Sequence, residues 1–135
     1  GFPTANLIPP VDQLIPANGV YAARVLVRKK AVQSDAVHSL CVSLDAKMNA
    51  KQVAEQWDSY QSAVNIGVRP TFDGGKLLVE AYLLDVEGLD LYDQCMSIHF
   101  IARLRSEQRF ASLDALKAQI AEDVRNARHI LQKDE

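Results

Sequence analysis

The chain has 135 residues, of which 48% are hydrophobic and 24% charged, and its formal net charge is −2. These values predict one mainly globular domain over residues 1–135, and the acidic balance opposes nucleic-acid binding, which needs a basic surface. No apolar stretch could span a membrane and no signal peptide is present, so we expect no membrane partner and a cytoplasmic location. Cys41 and Cys95 lie far apart, which favours free thiols in a reducing compartment, with a disulfide between them as the alternative.

Residues 1–7 form the first predicted element. Pro3 favours an extended backbone, which would place the side chains of Thr4 and Asn6 next to each other on one face. A hydroxyl and an amide are neutral oxygen ligands, and such ligands suit a Mg²⁺ ion that already carries phosphate charge. The alternative interpretation of so short a motif is a solvated turn that leads into a strand.

Five further segments have alternating apolar residues, which predicts β-strands. The alternating sets are Tyr21, Ala23, Val25 and Val27; His38, Leu40, Val42 and Leu44; Val64, Ile66 and Val68; Leu77, Val79, Ala81 and Leu83; and Met96, Ile98, Phe100 and Ala102. Between the second and third sets, the polar residues 45–61 predict a loop with a short helix, which Trp57 anchors. Asp-Gly-Gly at 73–75 is typical of a hairpin turn, and short antiparallel strands with turns favour a barrel or a sandwich.

The period changes after Ser112, which is a good N-cap for a helix. Apolar residues then recur at spacings of three and four, as on one face of an amphipathic helix that covers the sheet. This face comprises Leu113, Leu116, Ile120, Val124, Ala127 and Leu131, and the opposite, solvent-facing side is predicted to carry Lys117, Glu122, Asp123, Arg125 and Arg128.

Most common catalytic signatures are missing, and the three histidines lack metal-ligand spacing. Glu80 is the candidate for chemistry, because it is the one charge in the apolar run from Leu77 to Leu84. A partly desolvated carboxylate there would suit a general base. The equally weighted alternative is that this face of the strand is exposed to solvent.

Six blocks of the chain, taken in order, resemble the riboflavin kinase (flavokinase) family. They most resemble the C-terminal module of the bacterial bifunctional riboflavin kinase/FAD synthetase. The blocks lie at 1–6, 16–22, 65–72, 79–85, 90–92 and 104–110. The resemblance implies a mainly β fold, a six-stranded antiparallel Greek-key barrel with a C-terminal helix. Family members usually have a strand and a glycine-rich loop before the first block, so the resemblance predicts an N-terminally truncated domain without its first strand, and weak nucleotide binding.

The resemblance also implies a reaction and roles for four residues. ATP would phosphorylate the 5′-hydroxyl of riboflavin, giving FMN and ADP. Thr4 and Asn6 would hold Mg²⁺ and the phosphates, Glu80 would be the base, and Arg105 would lie near the flavin in a mobile loop before the last helix. The resemblance further implies an N-terminal FAD synthetase (adenylyltransferase) domain as a partner in the full-length protein. A catalytically silent flavin- or nucleotide-binding barrel is the alternative, and a nucleic-acid-binding barrel is a third interpretation that the acidic balance opposes.

Overall fold

The computed structural model describes residues 4–7, 15–29, 50–69, 76–87 and 96–134. These residues form five strands and two helices: β1 (Thr4–Leu7), β2 (Gly19–Arg28), α1 (Ala50–Gln56), β3 (Trp57–Arg69), β4 (Lys76–Leu83), β5 (Met96–Arg105) and α2 (Leu113–Asp134). The prediction of a mainly β fold with a C-terminal helix is confirmed. The strand predicted around residues 38–44 and the turn at 73–75 lie outside the described residues.

All strand pairs in the sheet are antiparallel, and the strands lie in the order β1-β4-β3-β2-β5. Among the described strands, β2, β3 and β4 follow one another along the chain and lie side by side, whereas β5 returns to lie beside β2. This arrangement is a Greek key, as predicted. In the part of the chain that the structure describes, β1 and β5 are the edge strands, and closure into a six-stranded barrel is not seen there.

Each face of the sheet buries its own set of side chains, because successive residues of a strand point to opposite faces. One face carries the larger core, which includes Ala5, Tyr21, Val25, Ile66 and Leu83. The other face packs its small residues Ala22 and Ala63 against Val124, Ala127 and Leu131 of α2. We call this second side the helix face of the sheet.

Helix α2 begins as predicted, since the Ser112 hydroxyl accepts a hydrogen bond of 3.1 Å from the Ala115 amide. Its predicted apolar face is buried only in the second half, whereas the residues at its start are exposed. Leu113 is 64% exposed and Leu116 is also exposed. The prediction for Asp123 is wrong in the opposite direction. This residue was predicted to face solvent, but it is only 5% exposed. Neither helix of the described residues is long and apolar enough to cross a membrane.

The loop with a short helix that was predicted over residues 45–61 ends earlier than expected. Helix α1 lies within it, but β3 begins at Trp57, which pairs with Arg28 of β2. The polar residues that follow Trp57 continue this ladder, so their polarity reflects an exposed strand surface and not a loop. Trp57 itself is 5% exposed, but it is buried as the first residue of β3 and not as a residue of the loop.

Candidate active site on the helix face of the sheet

One row of directly paired residues crosses all five strands of the sheet. In strand order the row is Asn6, Glu80, Asn65, Val20 and Arg105. Directly paired residues of antiparallel strands point to the same face, and neighbouring strands lie about 4.8 Å apart. Three of the residues singled out from the sequence are therefore in one line, with Glu80 one strand from Asn6 and three strands from Arg105.

Strand β1 presents Thr4 and Asn6 on the helix face, at the edge of the sheet. Both are exposed, whereas Ala5 between them is buried in the core of the opposite face. Thr4 lies opposite Tyr82 and Asn6 lies opposite Glu80 on β4. The extended backbone predicted for this motif is confirmed, and it places the hydroxyl and the amide beside the candidate base.

Glu80 is half-buried. Its environment is therefore intermediate between the desolvated and the solvent-exposed positions that were considered from the sequence. The Tyr82 hydroxyl donates a hydrogen bond of 3.1 Å to Glu80 Oε2. The two residues are two positions apart in β4 and so share a face. Sequence reasoning gave Tyr82 no role, although its spacing from Glu80 was a usable signal.

A cleft opens beside Glu80 on the helix face. Its floor is formed by strand residues, namely Val20, Ala63, Asn65 and Tyr82. Glu80, Thr4 and Asn6 are not among the lining residues, and Tyr82 connects the cleft to Glu80 through its hydroxyl. The side-chain Oδ1 of Asn65 is buried and has no hydrogen-bond partner within the described residues. Asn65 belongs to one of the sequence blocks, but its role could not be read from the sequence.

The opposite side of the cleft is formed by residues 106–110, which we call the wall segment, and by the first turns of α2. The lining residues there are Glu107, Gln108 and Phe110, together with Leu116 and Ile120. The Glu107 carboxylate lies directly over Gly67 of β3, where a Cβ atom would strike it. The glycine of the 65–72 block therefore permits a close approach of the wall segment to the sheet.

Arg105 is the last residue of β5 and not part of the loop that was predicted to contain it. Its Nε and Nη2 donate to the two carboxylate oxygens of Asp123 at 2.8 and 2.7 Å, a bidentate ion pair. Its Nη1 donates to the Ser106 carbonyl at 3.0 Å, and its guanidinium carbon lies 5.8 Å from the centre of the Phe110 ring. Asp123 is a further residue whose role was missed in the sequence, because a charged helix residue is usually solvated.

The oxygen atoms of Thr4 and Asn6 fit a magnesium ion that is shared with nucleotide phosphates. Mg²⁺ in such sites keeps few protein ligands, and a hydroxyl and an amide add no charge to those of the phosphates. No group of three His, Cys, Asp or Glu residues within the described ranges could hold a metal by itself.

The described residues thus form an antiparallel sheet with a C-terminal helix, in which Glu80 lies between the polar edge strand β1 and a cleft on the helix face. The chain belongs to the flavokinase (riboflavin kinase) family, whose model matches residues 1–131.

Two curated relatives are both named bifunctional riboflavin kinase/FMN adenylyltransferase. The Pseudomonas fluorescens protein is 40% identical over 82% of this chain, and the Escherichia coli K12 protein is 39% identical over 95%. The chain spans only 32% of the length of each relative. A solved structure of a Streptococcus pneumoniae protein, described as a macrolide-efflux protein, matches 94% of this chain and 32% of its own with a TM-score of 0.65. Its sequence identity is 24%, so this likeness shows the fold alone.

Proposed function

We propose that this domain transfers the γ-phosphoryl group of ATP to the 5′-hydroxyl of riboflavin, giving FMN and ADP. The observation that carries the proposal is the cross-strand row, which places Glu80 between the oxygen pair of β1 and the cleft. Family membership supports the same assignment, since the matching model is that of riboflavin kinase. Phosphoryl transfer depends mainly on positioning and charge stabilisation, so no phosphate-binding loop of the common kind is required.

Glu80 acts in this proposal as the general base. The riboflavin oxygen attacks the γ-phosphorus, a new O–P bond forms, and the bond from that phosphorus to the bridging oxygen of ADP breaks. The Glu80 carboxylate takes the proton of the attacking hydroxyl, a contribution that is typically about 10²- to 10⁴-fold in rate. The Tyr82 hydroxyl, which is bonded to Glu80 Oε2, holds the carboxylate in one orientation.

Thr4 and Asn6 form the phosphate side of the proposed site. They would hold Mg²⁺ together with the phosphates of ATP, and the ion, when bound, neutralises phosphate charge during transfer. Asn6 pairs directly with Glu80, so a phosphate bound at β1 would lie within about one strand spacing of the base.

The cleft forms the flavin side of the proposed site. Phe110, Leu116 and Ile120 give it apolar surface for a flat ring system, and Arg105 lies at its far end. The distance from Glu80 to Arg105 is about three strand spacings, or at most about 14 Å, which is enough for a ribityl chain and part of the ring. The buried Oδ1 of Asn65, between these two residues in the row, offers an acceptor for a hydroxyl of that chain.

The two relatives also carry an FMN adenylyltransferase activity by name, and this chain matches a third of each. We extend the proposal to a full-length protein that holds such a domain and works in the cytoplasm. The FMN made here would then be the substrate of that second domain.

Incubation of the chain with riboflavin, ATP and Mg²⁺, followed by chromatography of the flavins and nucleotides, tests the proposal. We expect equal amounts of FMN and ADP, and no FMN when the metal is chelated. Riboflavin binding without FMN formation would instead support the silent flavin-binding barrel.

A further inference from the structure

Each of the three guanidinium nitrogens of Arg105 donates one hydrogen bond to the protein itself. Two of its nitrogens donate to Asp123 and the third donates to the Ser106 carbonyl. Its guanidinium carbon lies over the ring of Phe110, 5.8 Å from the ring centre. Arg105 therefore connects the end of β5 and both ends of the wall segment to α2.

Asp123 is the other half of this connection. It is nearly fully buried, and it accepts a further hydrogen bond of 3.1 Å from Gln119 one turn earlier in α2. A bidentate pair with an arginine fixes orientation as well as distance, because both groups are planar. The Asp123 carboxylate thus fixes the plane of the Arg105 guanidinium, and with it the position of Phe110 and Ser106.

We propose that Asp123 is a positioning residue for the flavin side of the site. Through Arg105 it holds the wall segment in the conformation that completes the cleft. This inference deepens the proposed function and rests on it for the identity of the ligand. Asp123 acts on riboflavin binding and not on ATP, because the wall segment lines the cleft, whereas Thr4 and Asn6 lie at the opposite edge of the sheet.

The alternative is that Asp123 has a purely structural role and only attaches α2 to the sheet. Another ion pair of α2 provides a matched control for this alternative. Arg128 of α2 forms a second ion pair that attaches the helix, from Nη2 to Oδ1 of Asp85, which lies just after β4, at 2.8 Å. This pair lies away from the cleft, and neither residue lines it. Loss of the Asp85–Arg128 pair should weaken the helix attachment without moving the wall segment.

The test compares Asp123→Asn, Arg105→Lys and Arg128→Gln with the unaltered chain. The riboflavin Kd is measured by quenching of flavin fluorescence, and KM for both substrates is measured by FMN formation. We expect Asp123→Asn to raise the riboflavin Kd and KM about ten- to a hundredfold, with KM for ATP changed less than about twofold. Arg105→Lys keeps the charge but loses the planar fork, so it should shift the riboflavin values in the same direction by less.

Arg128→Gln should leave the riboflavin Kd within about twofold while lowering the urea midpoint of unfolding. Equal effects of Asp123→Asn and Arg128→Gln on riboflavin binding, or a riboflavin Kd unchanged in Asp123→Asn, would overturn the inference. If Asp123→Asn does not fold, Arg105→Lys decides alone. A chain that binds riboflavin but forms no FMN would refute the proposed function. The inference about Asp123 would still be tested in that case, because the riboflavin Kd of each variant is measured without turnover.

Discussion

Replacing Tyr82 with Phe keeps the ring and removes the hydroxyl that donates the hydrogen bond to Glu80 Oε2. The distance of 3.1 Å is that of an ordinary hydrogen bond, here to a charged acceptor. Such bonds contribute about 1.5–3 kcal/mol, and because both side chains are half-buried, water can replace part of this. A loss of about 1–2 kcal/mol in the transition state corresponds to a fall of about 5- to 30-fold in kcat.

The assay is the initial rate of FMN formation over a range of riboflavin and ATP concentrations. Tyr82→Phe should lower kcat by this factor and leave both KM values within about twofold, because Tyr82 acts on the base. Tyr60→Phe is the matched control, since Tyr60 is a half-buried tyrosine of β3 that packs against the core of the opposite face. An unchanged kcat in Tyr82→Phe, or a loss confined to KM for riboflavin, would refute the view that Tyr82 orients Glu80.

Three further predictions concern the wall segment, the core and alkaline pH. Gly67→Ala should raise KM for riboflavin severalfold because its methyl group displaces the Glu107 carboxylate, and the double variant with Glu107→Ala should behave like Glu107→Ala alone. Leu131→Ala, at a site with 0% exposure, should lower the free energy of unfolding in urea by about 2–5 kcal/mol, whereas Leu113→Ala should change it by less than about 0.5 kcal/mol. Burial, and then the charge of Asp58, raises the pKa of Tyr60 above its ordinary value of 10.0. The folded state thus holds this proton more tightly, a stabilisation that is complete below pH 10.0 and is lost as the pH rises through the raised pKa. Tyr60→Phe should therefore reduce the fall in unfolding free energy between about pH 9 and about pH 11; an equal fall in both proteins would contradict this.

The strands and α2 could be predicted because their apolar residues repeat with the periods of the two structures. The first part of β3 could not, since Asp58 and Ser59 lie on an exposed surface where alternation is absent from the sequence. Ala102 was predicted to share a face with Phe100, but a bulge between them pairs it with Ala22 on the helix face. A single inserted residue of this kind leaves no mark on the local pattern.

Some residues of the candidate site could also be predicted from the sequence, and others could not. Thr4, Asn6 and Glu80 could be proposed from short motifs, because each motif lies within one strand and alternation fixes its face. The Arg105–Asp123 pair could not, because its members are 18 residues apart and meet only when α2 folds back on the sheet. The charge of Asp123 also suggested solvent, where an unpaired carboxylate would normally lie.

The central claim is that the Glu80 carboxylate is the base of a riboflavin kinase site, and the kcat of Glu80→Gln tests it most directly. This change keeps the size of the side chain and removes its ability to take a proton. We predict a fall in kcat of about 10²- to 10⁴-fold with the riboflavin Kd within about threefold, while Glu87→Gln, at an exposed position after β4, keeps full activity. An unchanged rate of FMN formation in Glu80→Gln would contradict the account.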